Sequence, residues 1–313
     1  MDDFLVRLAT KEDTEEVLSL MKACFGERVS LTREWYKWFN YDCPTGLNRN
    51  YIAIDVSAKR IVGGYGLLPI RVKVNNEVQN GSLCTNVMTH PDYQGRGLFI
   101  RLGRHGLSCE ERFQNRVSLG IPNNNAIPGH MRVGWKRVSD LRFIAKHSFQ
   151  DKSHLSKEVP SYDARVDRLI HQVAEQVNFM VFKDHRFLNW RYKQRPHQKY
   201  RLFIFENNGS VNGYMILKYF EEDGYKKTHI LDIMANCEDV FMDLISTAEQ
   251  HSHGSDELNC WLVDNSIYDS LFTDSGFIPS GNKSVLMAHT NYGQEIIPRR
   301  NNWLFALGDN DVY

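Results

Sequence analysis

The chain has 313 residues, of which 42% are hydrophobic and 24% are charged, and this indicates a protein with buried cores and room for two domains. Its 38 basic residues balance its 38 acidic ones, so the net charge does not favour a nucleic-acid-binding protein, although a local basic patch stays open. We expect a cytoplasmic protein without membrane insertion, because the N-terminus is acidic and no apolar run approaches the ~20 residues of a membrane span.

The first half is predicted to be a mixed α/β unit in the order βααββββαβαβ. Alternating and apolar runs predict strands at residues 5–9, 51–56, 61–74, 78–88 and 117–121, with one or two more that end near residue 146. Apolar spacing predicts helices at residues 15–25 and 98–113, and shorter ones around Trp35 and after Asn125. Turn residues at 57–59 and 75–76 join three strands into a meander.

The second half is predicted to repeat the first in outline. A polar stretch at residues 150–160 is interpreted as a linker between a domain at 1–149 and a domain at 161–313. Residues 84–90 resemble residues 230–236, and each stretch is followed at a similar distance by a glycine–aromatic pair. The alternative is two unrelated α/β halves that share a similar order of strands and helices. We therefore expect an α/β (α+β) protein with two tandem domains, each a mixed, mostly antiparallel sheet with flanking helices.

A glycine-rich bend lies between a predicted strand and a predicted helix. Gly95 and Gly97 can adopt positive φ and allow a ligand to approach the backbone closely. The free N–H groups of the following helix start favour an anion such as pyrophosphate. Arg96 can add positive charge beside it.

The stretch from Val87 to Phe99 resembles the signature of the GNAT acyltransferase superfamily, Gln/Arg-x-x-Gly-x-Gly/Ala. Gln94 and Gly97 match its first two fixed positions, and Phe99 replaces the usual small residue, so we expect crowding at the helix start. The element order of residues 5–146 also fits that fold. The second half has no glycine between Met234 and Val240 and looks like a degenerate copy. The resemblance implies acyl-CoA as co-substrate, bound by Val87, Met88, Gln94, Gly95, Arg96, Gly97, Leu98, Phe99, Asn123 and Asn124.

The resemblance also implies that an amine attacks the thioester directly, with an N–H of Val87 or Met88 stabilising the oxyanion. The family often has a tyrosine acid four residues before a Gly-Phe pair, and here that position is His130, a candidate proton donor or an ordinary buried histidine. Asn86 could orient the acceptor or be a satisfied core residue. No general base is identified. We expect no metal, because none of the six cysteines has a zinc-like spacing with histidine.

The acceptor is predicted from aromatic and guanidinium side chains in the second half. They suit a nucleotide, with interdomain packing as the alternative, and are Trp190, Arg191, Arg299, Arg300 and Trp303. With the terminal segment at 308–311, the layout resembles bacterial nucleotide-sugar N-acyltransferases of surface-polysaccharide pathways, which implies a nucleotide-linked amino sugar such as a dTDP-amino-deoxy sugar. An aminoglycoside or polyamine acceptor, or a non-catalytic acyl-CoA-binding module, stays open. Aminoacyl transfer from tRNA is disfavoured, because the chain has no net basic charge and carries a CoA-type loop.

Overall fold

Strands dominate the structure, a computed structural model that describes residues 3–27, 31–290 and 302–311. Within these ranges no helix combines the length and the apolar character needed to cross a membrane. The first half supplies six strands, β1 Phe4–Leu8, β2 Arg49–Asp55, β3 Arg60–Val74, β4 Glu77–Thr89, β5 Val117–Gly120 and β6 Lys136–Lys146. It also supplies four α-helices, α1 Thr14–Phe25, α2 Arg33–Tyr41, α3 Leu98–Glu110 and α4 Ile127–Val133.

The second half has a similar order of elements. Its strands are β7 Lys157–Val159, β8 Phe179–Phe182, β9 Arg201–Asn207, β10 Ser210–Glu222, β11 Tyr225–Ala235, β12 Glu257–Val263, β13 Ile278–Thr290 and β14 Trp303–Leu304. Its helices are α5 Arg165–Ala174, α6 His185–Leu188, α7 Glu238–Gln250 and α8 Asp269–Asp274. A π-helical turn, Asn189–Lys193, continues α6.

One continuous sheet joins the halves, in the order β1-β2-β3-β4-β5-β13-β6-β12-β11-β10-β9-β7. The predicted fold class, a mixed and mostly antiparallel sheet with flanking helices, is confirmed. The interleaving was not predicted: β13 of the second half lies between β5 and β6, and β6 of the first half pairs with β12. Pairing between strands so distant in the sequence leaves no pattern in either segment from which the pairing could be predicted.

Helices of the first half cover both faces of its sheet. Along β3, Ile61 and Leu68 pack in a core with α1 and α2, whereas Val62 and Leu67 pack in a second core with α3. Neighbouring strand residues point to opposite faces, and a register shift of β3 against β2 between Ile61 and Gly63 exchanges the odd and even positions. The helices therefore hold β4 and its neighbours rigidly from both sides.

Two short strands differ from the sequence-based expectation. The segment predicted as a linker contains β7, where Lys157 pairs with Ile204 of β9. The apolar run of β8 was not predicted as a strand, yet Val181 pairs with Val72 of β3 and Met180 pairs with Leu304 of β14. Both strands depend on partners far away in sequence, because runs of three or four residues have too little periodicity to predict.

Each half contains a pair of parallel strands that separate. β4 and β5 pair only from Gly81–Val117 to Leu83–Leu119, and β11 and β12 pair only from Lys227–Glu257 to His229–Asn259. Beyond these pairs, β4 and β11 each continue without the parallel partner and stay paired with β3 and β10. Each also has a register shift against its antiparallel neighbour just after the separation begins. The shared geometry supports the predicted repeat of the two halves.

Candidate active site

A β-bulge in β4 turns its backbone toward the cleft beside β5. Gly64 pairs with Met88 and Gly66 with Thr85, so Asn86 and Val87 have no partner in the β3–β4 register. Asn86 has φ of 49°, a left-handed conformation that asparagine tolerates better than most residues. A bulge of this kind re-aims main-chain groups. It lies at the residues where the oxyanion-stabilising N–H is predicted, Val87 or Met88.

The loop at residues 94–99 begins α3 with two glycines in left-handed conformation. Gly95 has φ of 77° and Gly97, the N-cap of α3, has φ of 75°. A Cβ added at either position would meet nothing within 4 Å, so glycine is required by the backbone and not by lack of space. The open space beside the first N–H groups of α3 suits an anion.

A cavity of about 490 Å³ lies over this loop. Of the predicted CoA contacts it is lined by Val87, Met88, Gln94, Gly95, Gly97, Leu98, Phe99 and Asn123. Arg96 and Asn124 do not line it. The Arg96 guanidinium instead lies 4.8 Å from the centre of the Tyr93 ring at the exposed edge of the loop. Arg132 of α4 lines the cavity and is a cation that the sequence analysis did not identify.

The expected crowding at Phe99 does not occur. Its ring lies over Gly129 of α4, where an added Cβ would come within 2.7 Å of Phe99 Cε1. The ring also meets His130 edge-on, with the ring centroids 5.1 Å apart. Gly129 therefore provides the room for the large side chain, and the prediction that Phe99 disturbs the helix start is wrong.

A second cavity, of about 410 Å³, lies beyond the bulge, and we call it the acceptor cavity. Its apolar wall comes from the α1–α2 region and comprises Met21, Phe25, Leu31, Trp35 and Phe39. Its polar lining includes Thr85, Asn86, Asn123, His130, Arg195, Gln198 and Asp311. Val87, Asn123 and Ala126 line both cavities. The two cavities therefore meet at the bulge.

Asp311 is a functional candidate that the sequence analysis did not assign, although it belongs to the terminal segment at 308–311. It is half-buried and belongs to residues 303–311, the C-terminal segment. Burial raises the pKa of the Asp311 carboxyl, and Arg191, Arg195 and the main-chain N–H of Asn86 only partly offset this rise. A carboxylate with a raised pKa is a better proton acceptor than an ordinary aspartate.

The structure corrects the assignment of His130 as the general acid. The side chain lines the acceptor cavity, but the residue is only 3% exposed and is packed among Phe99 and Trp135. Burial lowers the pKa of His130 to about 4. The imidazole is therefore neutral at neutral pH and has no imidazolium proton to give to a leaving thiolate.

Asn123, predicted as a CoA contact, also has a capping role. Its side-chain Oδ1 accepts a hydrogen bond of 3.0 Å from the N–H of Ala126, just before α4. Asn123 also lines both cavities. Asn124 is exposed and lines neither of them. Capping fixes the start of α4, which carries Gly129, His130 and Arg132.

The aromatic residues predicted to bind a nucleotide are core residues, which corrects that prediction. Trp190 is 1% exposed, and its ring stacks on Trp38 with centroids 4.8 Å apart. Trp303 is 0% exposed and lies against Phe179. Neither ring has a free face for a base. Arg191 is also buried and donates a hydrogen bond of 2.5 Å to the carbonyl of Asn310.

Arg299 and Arg300 lie outside the described residues. In the part of the chain that the structure describes, no cluster of histidine, cysteine, aspartate and glutamate could hold a metal ion.

Residues 5–138 match the family model of the acetyltransferase (GNAT) domain. No curated protein matches the sequence. Among solved structures, a GCN5-related N-acetyltransferase from Anabaena variabilis is similar with a TM-score of 0.75 at 13% identity, over 92% of this chain and 72% of that one.

Two further solved structures have the same fold. A probable N-acyltransferase from Enterococcus faecalis has a TM-score of 0.70 at 15% identity, over 92% of this chain and 72% of that one. N-myristoyltransferase from Saccharomyces cerevisiae with bound myristoyl-CoA has a TM-score of 0.65 at 11% identity, over 93% of this chain and 79% of that one. At such identities the similarity concerns the fold alone.

Proposed function

We propose that this chain, whose residues 5–138 match the acetyltransferase (GNAT) domain, transfers an acyl group from acyl-CoA to an amine in the acceptor cavity, with Asp311 as the base. This match supports the enzyme class, an acyl-CoA-dependent N-acyltransferase. The observation that carries the proposal is the meeting of two cavities at the bulge, one over the glycine loop and one beside Asp311.

Binding of acyl-CoA uses the loop and the separated strands. The N–H groups at the start of α3, behind Gly95 and Gly97, hold the pyrophosphate, and Arg132 adds a positive charge. The pantetheine arm extends along β4 between the separated strands. The thioester then reaches Val87, where the two cavities meet.

Acyl transfer proceeds by direct attack of the amine nitrogen on the thioester carbonyl. A C–N bond forms, and a main-chain N–H at Val87 or Met88 stabilises the oxyanion of the tetrahedral intermediate. Asp311 takes a proton from the attacking nitrogen, and the C–S bond breaks as CoA leaves as a thiolate. The thiolate takes its proton from solvent, because His130 is neutral at neutral pH.

The acceptor predicted from the resemblance, a nucleotide-linked amino sugar, is the first one to test. Within the cavity its phosphates could bind Arg195, a cation that faces Asp311 across the polar lining. An aminoglycoside or polyamine carries several positive charges and requires an acidic site. The described cavity lining contains one carboxylate, Asp311, and one guanidinium, Arg195, which favours an acceptor that also carries negative charge.

The proposal is tested by a thiol-release assay in which acyl-CoAs of increasing chain length meet a panel of nucleotide-linked amino sugars, aminoglycosides and polyamines. We expect one class of amine to give stoichiometric thiol release and an amide product detectable by mass spectrometry. Absence of any acyl-CoA-dependent amide, together with no calorimetric binding of CoA, would refute the proposed function.

If a nucleotide-linked amino sugar is the acceptor, free nucleoside diphosphate competes with it and not with acyl-CoA. The reason is that the acceptor phosphates meet Arg195, whereas the CoA pyrophosphate lies at the loop of the first half. Arg195→Gln should raise the acceptor KM and leave the acyl-CoA KM unchanged. An unchanged rate at millimolar nucleoside diphosphate, with rapid acylation of a simple amine, would exclude this acceptor.

One CoA is expected to bind per chain. The second half has no glycine loop before α7, whose N-cap is Cys237, and the cleft between β11 and β12 is lined by Leu304, Phe305 and Leu307 of the chain itself. Titration calorimetry with CoA checks the stoichiometry. Saturation at two equivalents per chain would contradict the interpretation of the second half as a degenerate copy.

A further inference from the structure

The C-terminal segment fills the cleft of the second half. Trp303 forms a bridge with Ser266, and its carbonyl accepts from the N–H of Ile267 at 3.4 Å. The residues that follow pack between β11 and β12, and the space left there is about 20 Å³, against about 490 Å³ over the glycine loop of the first half. The segment therefore lies in the second half where acyl-CoA is proposed to lie in the first half.

Close packing holds the segment at Gly308. A Cβ added there would lie 3.0 Å from the carbonyl oxygen of Leu231 and would collide with the Tyr192 hydroxyl. Only glycine allows the chain to pass so near to β11. The turn Leu307–Asp309 is closed by a hydrogen bond of 2.8 Å from the N–H of Ala306 to Asp309 Oδ2.

A buried triad of charges anchors this turn. Lys183 Nζ lies 2.6 Å from Asp232 Oδ2 and 2.7 Å from Asp309 Oδ1, and all three side chains are at most 5% exposed. The two carboxylates outweigh the burial of the ammonium and raise the pKa of Lys183, so it stays charged. Tyr192 also faces this group. Separating one member from the others would leave a buried charge without its counter-ion, at a high cost in free energy. This cost holds the three side chains in place.

The triad lies at a position that corresponds to the active site of the first half. Asp232 occupies in β11 the place that Asn86 occupies in β4, in the similar stretches 230–236 and 84–90. Two residues after Asp309, the chain reaches Asp311, which lines the acceptor cavity. Between them, the Asn310 carbonyl is held by Arg191.

We propose that the second half is a holder for the catalytic base, in which Lys183, Asp232 and Asp309 are positioning residues that fix the C-terminal segment and thereby place the Asp311 carboxylate against the bulge of β4. This inference rests on the proposed function of Asp311. In this proposal the second half contributes to catalysis although it binds no CoA of its own. The same interleaving of β6 and β13 joins the holder rigidly to the first half.

The test compares two lysines in the full-length protein. Lys183→Met should lower kcat by about 100-fold, because a displacement of about 1 Å in a catalytic group can cost this much. The calorimetric Kd for acyl-CoA should stay the same. Lys146→Met is the matched control, since Lys146 also forms a buried ion pair, 2.7 Å from Glu249, but does not contact the C-terminal segment. Lys183→Met loses two buried ion pairs and Lys146→Met loses one, and only the first variant should lose kcat.

A conservative substitution provides the second measurement. Asp309→Asn keeps an oxygen acceptor for Lys183 and should retain much more activity than Asp309→Leu, which cannot bond the ammonium. In Asp309→Leu, kcat/KM should also no longer fall as the pH is lowered, as would be expected if the base itself were lost. This pair decides the question if Lys183→Met does not fold.

Equal kcat for Lys183→Met and Lys146→Met, or equal activity and pH profile for Asp309→Asn and Asp309→Leu, would overturn the inference. These outcomes leave the proposed function intact as long as the wild-type protein acylates an amine. A wild-type protein without acyl transfer would instead refute the proposed function.

Discussion

Asp311→Asn lowers kcat by about 100-fold or more, because a general base typically contributes that much to a proton transfer. The amide keeps the size of the side chain but cannot take a proton from the attacking amine. Acyl-CoA binding should not change, since Asp311 lines the acceptor cavity and not the cavity over the glycine loop. The thiol-release rate at saturating acyl-CoA and acceptor measures the effect.

The pH dependence of the same variant is a second readout. The base must be ionised, so kcat/KM of the wild-type protein falls as the pH falls through the pKa of Asp311. Burial raises that pKa above the ordinary value of an aspartate, although Arg191 and Arg195 face the carboxylate and lower it in part. In Asp311→Asn this acid limb should be absent. If Asp311→Asn keeps the wild-type rate and the same fall of kcat/KM at low pH, another group is the base.

Gly97→Val abolishes CoA binding while the fold is retained. A β-branched residue at φ of 75° is strained by about 1–3 kcal/mol, and its side chain would occupy the open space at the start of α3 where the pyrophosphate binds. We expect calorimetry to show a Kd for CoA at least about 100-fold weaker, equivalent to about 2.8 kcal/mol.

Gly209→Val is the matched control for this prediction. Gly209 also has a positive φ, of 76°, and an added Cβ there would likewise meet nothing within 4 Å. It lies in the turn between β9 and β10, away from both cavities, so the substitution brings the same backbone strain without the loss of an anion site. The two variants should have similar melting temperatures and different CoA affinities. Wild-type affinity in Gly97→Val would refute the loop assignment.

The local features of the first half were predictable because they depend on neighbouring residues. The meander from β2 to β4 follows from apolar runs separated by turn residues, and its observed bounds differ from the predicted ones by at most two positions. The glycine loop was predictable for the same reason. The positive φ of Gly95 and Gly97 and the helix start after them belong to a few consecutive residues.

The errors concern side chains whose surroundings come from distant segments. Trp190 was predicted as a ligand contact, but its burial depends on Trp38 of α2. His130 was predicted as an acid, but its low pKa depends on burial among aromatic rings. Phe99 was expected to disturb the loop, but Gly129 of the next helix makes room for it. Sequence patterns report the chemistry of a side chain and not its degree of burial.

By itself, the sequence determined the fold class, and it predicts the repeat of the two halves and the place of the acyl-CoA loop, since periodicity and glycine geometry act over a few residues. Only the tertiary structure decided where the halves interleave and which carboxylate reaches the bulge. Asp311 is distant from Asn86 in the chain and comes near it only because the C-terminal segment is anchored by Lys183 in the cleft of the second half. Contacts of that kind depend on strand pairing and buried charge across the whole fold, and no local pattern encodes them.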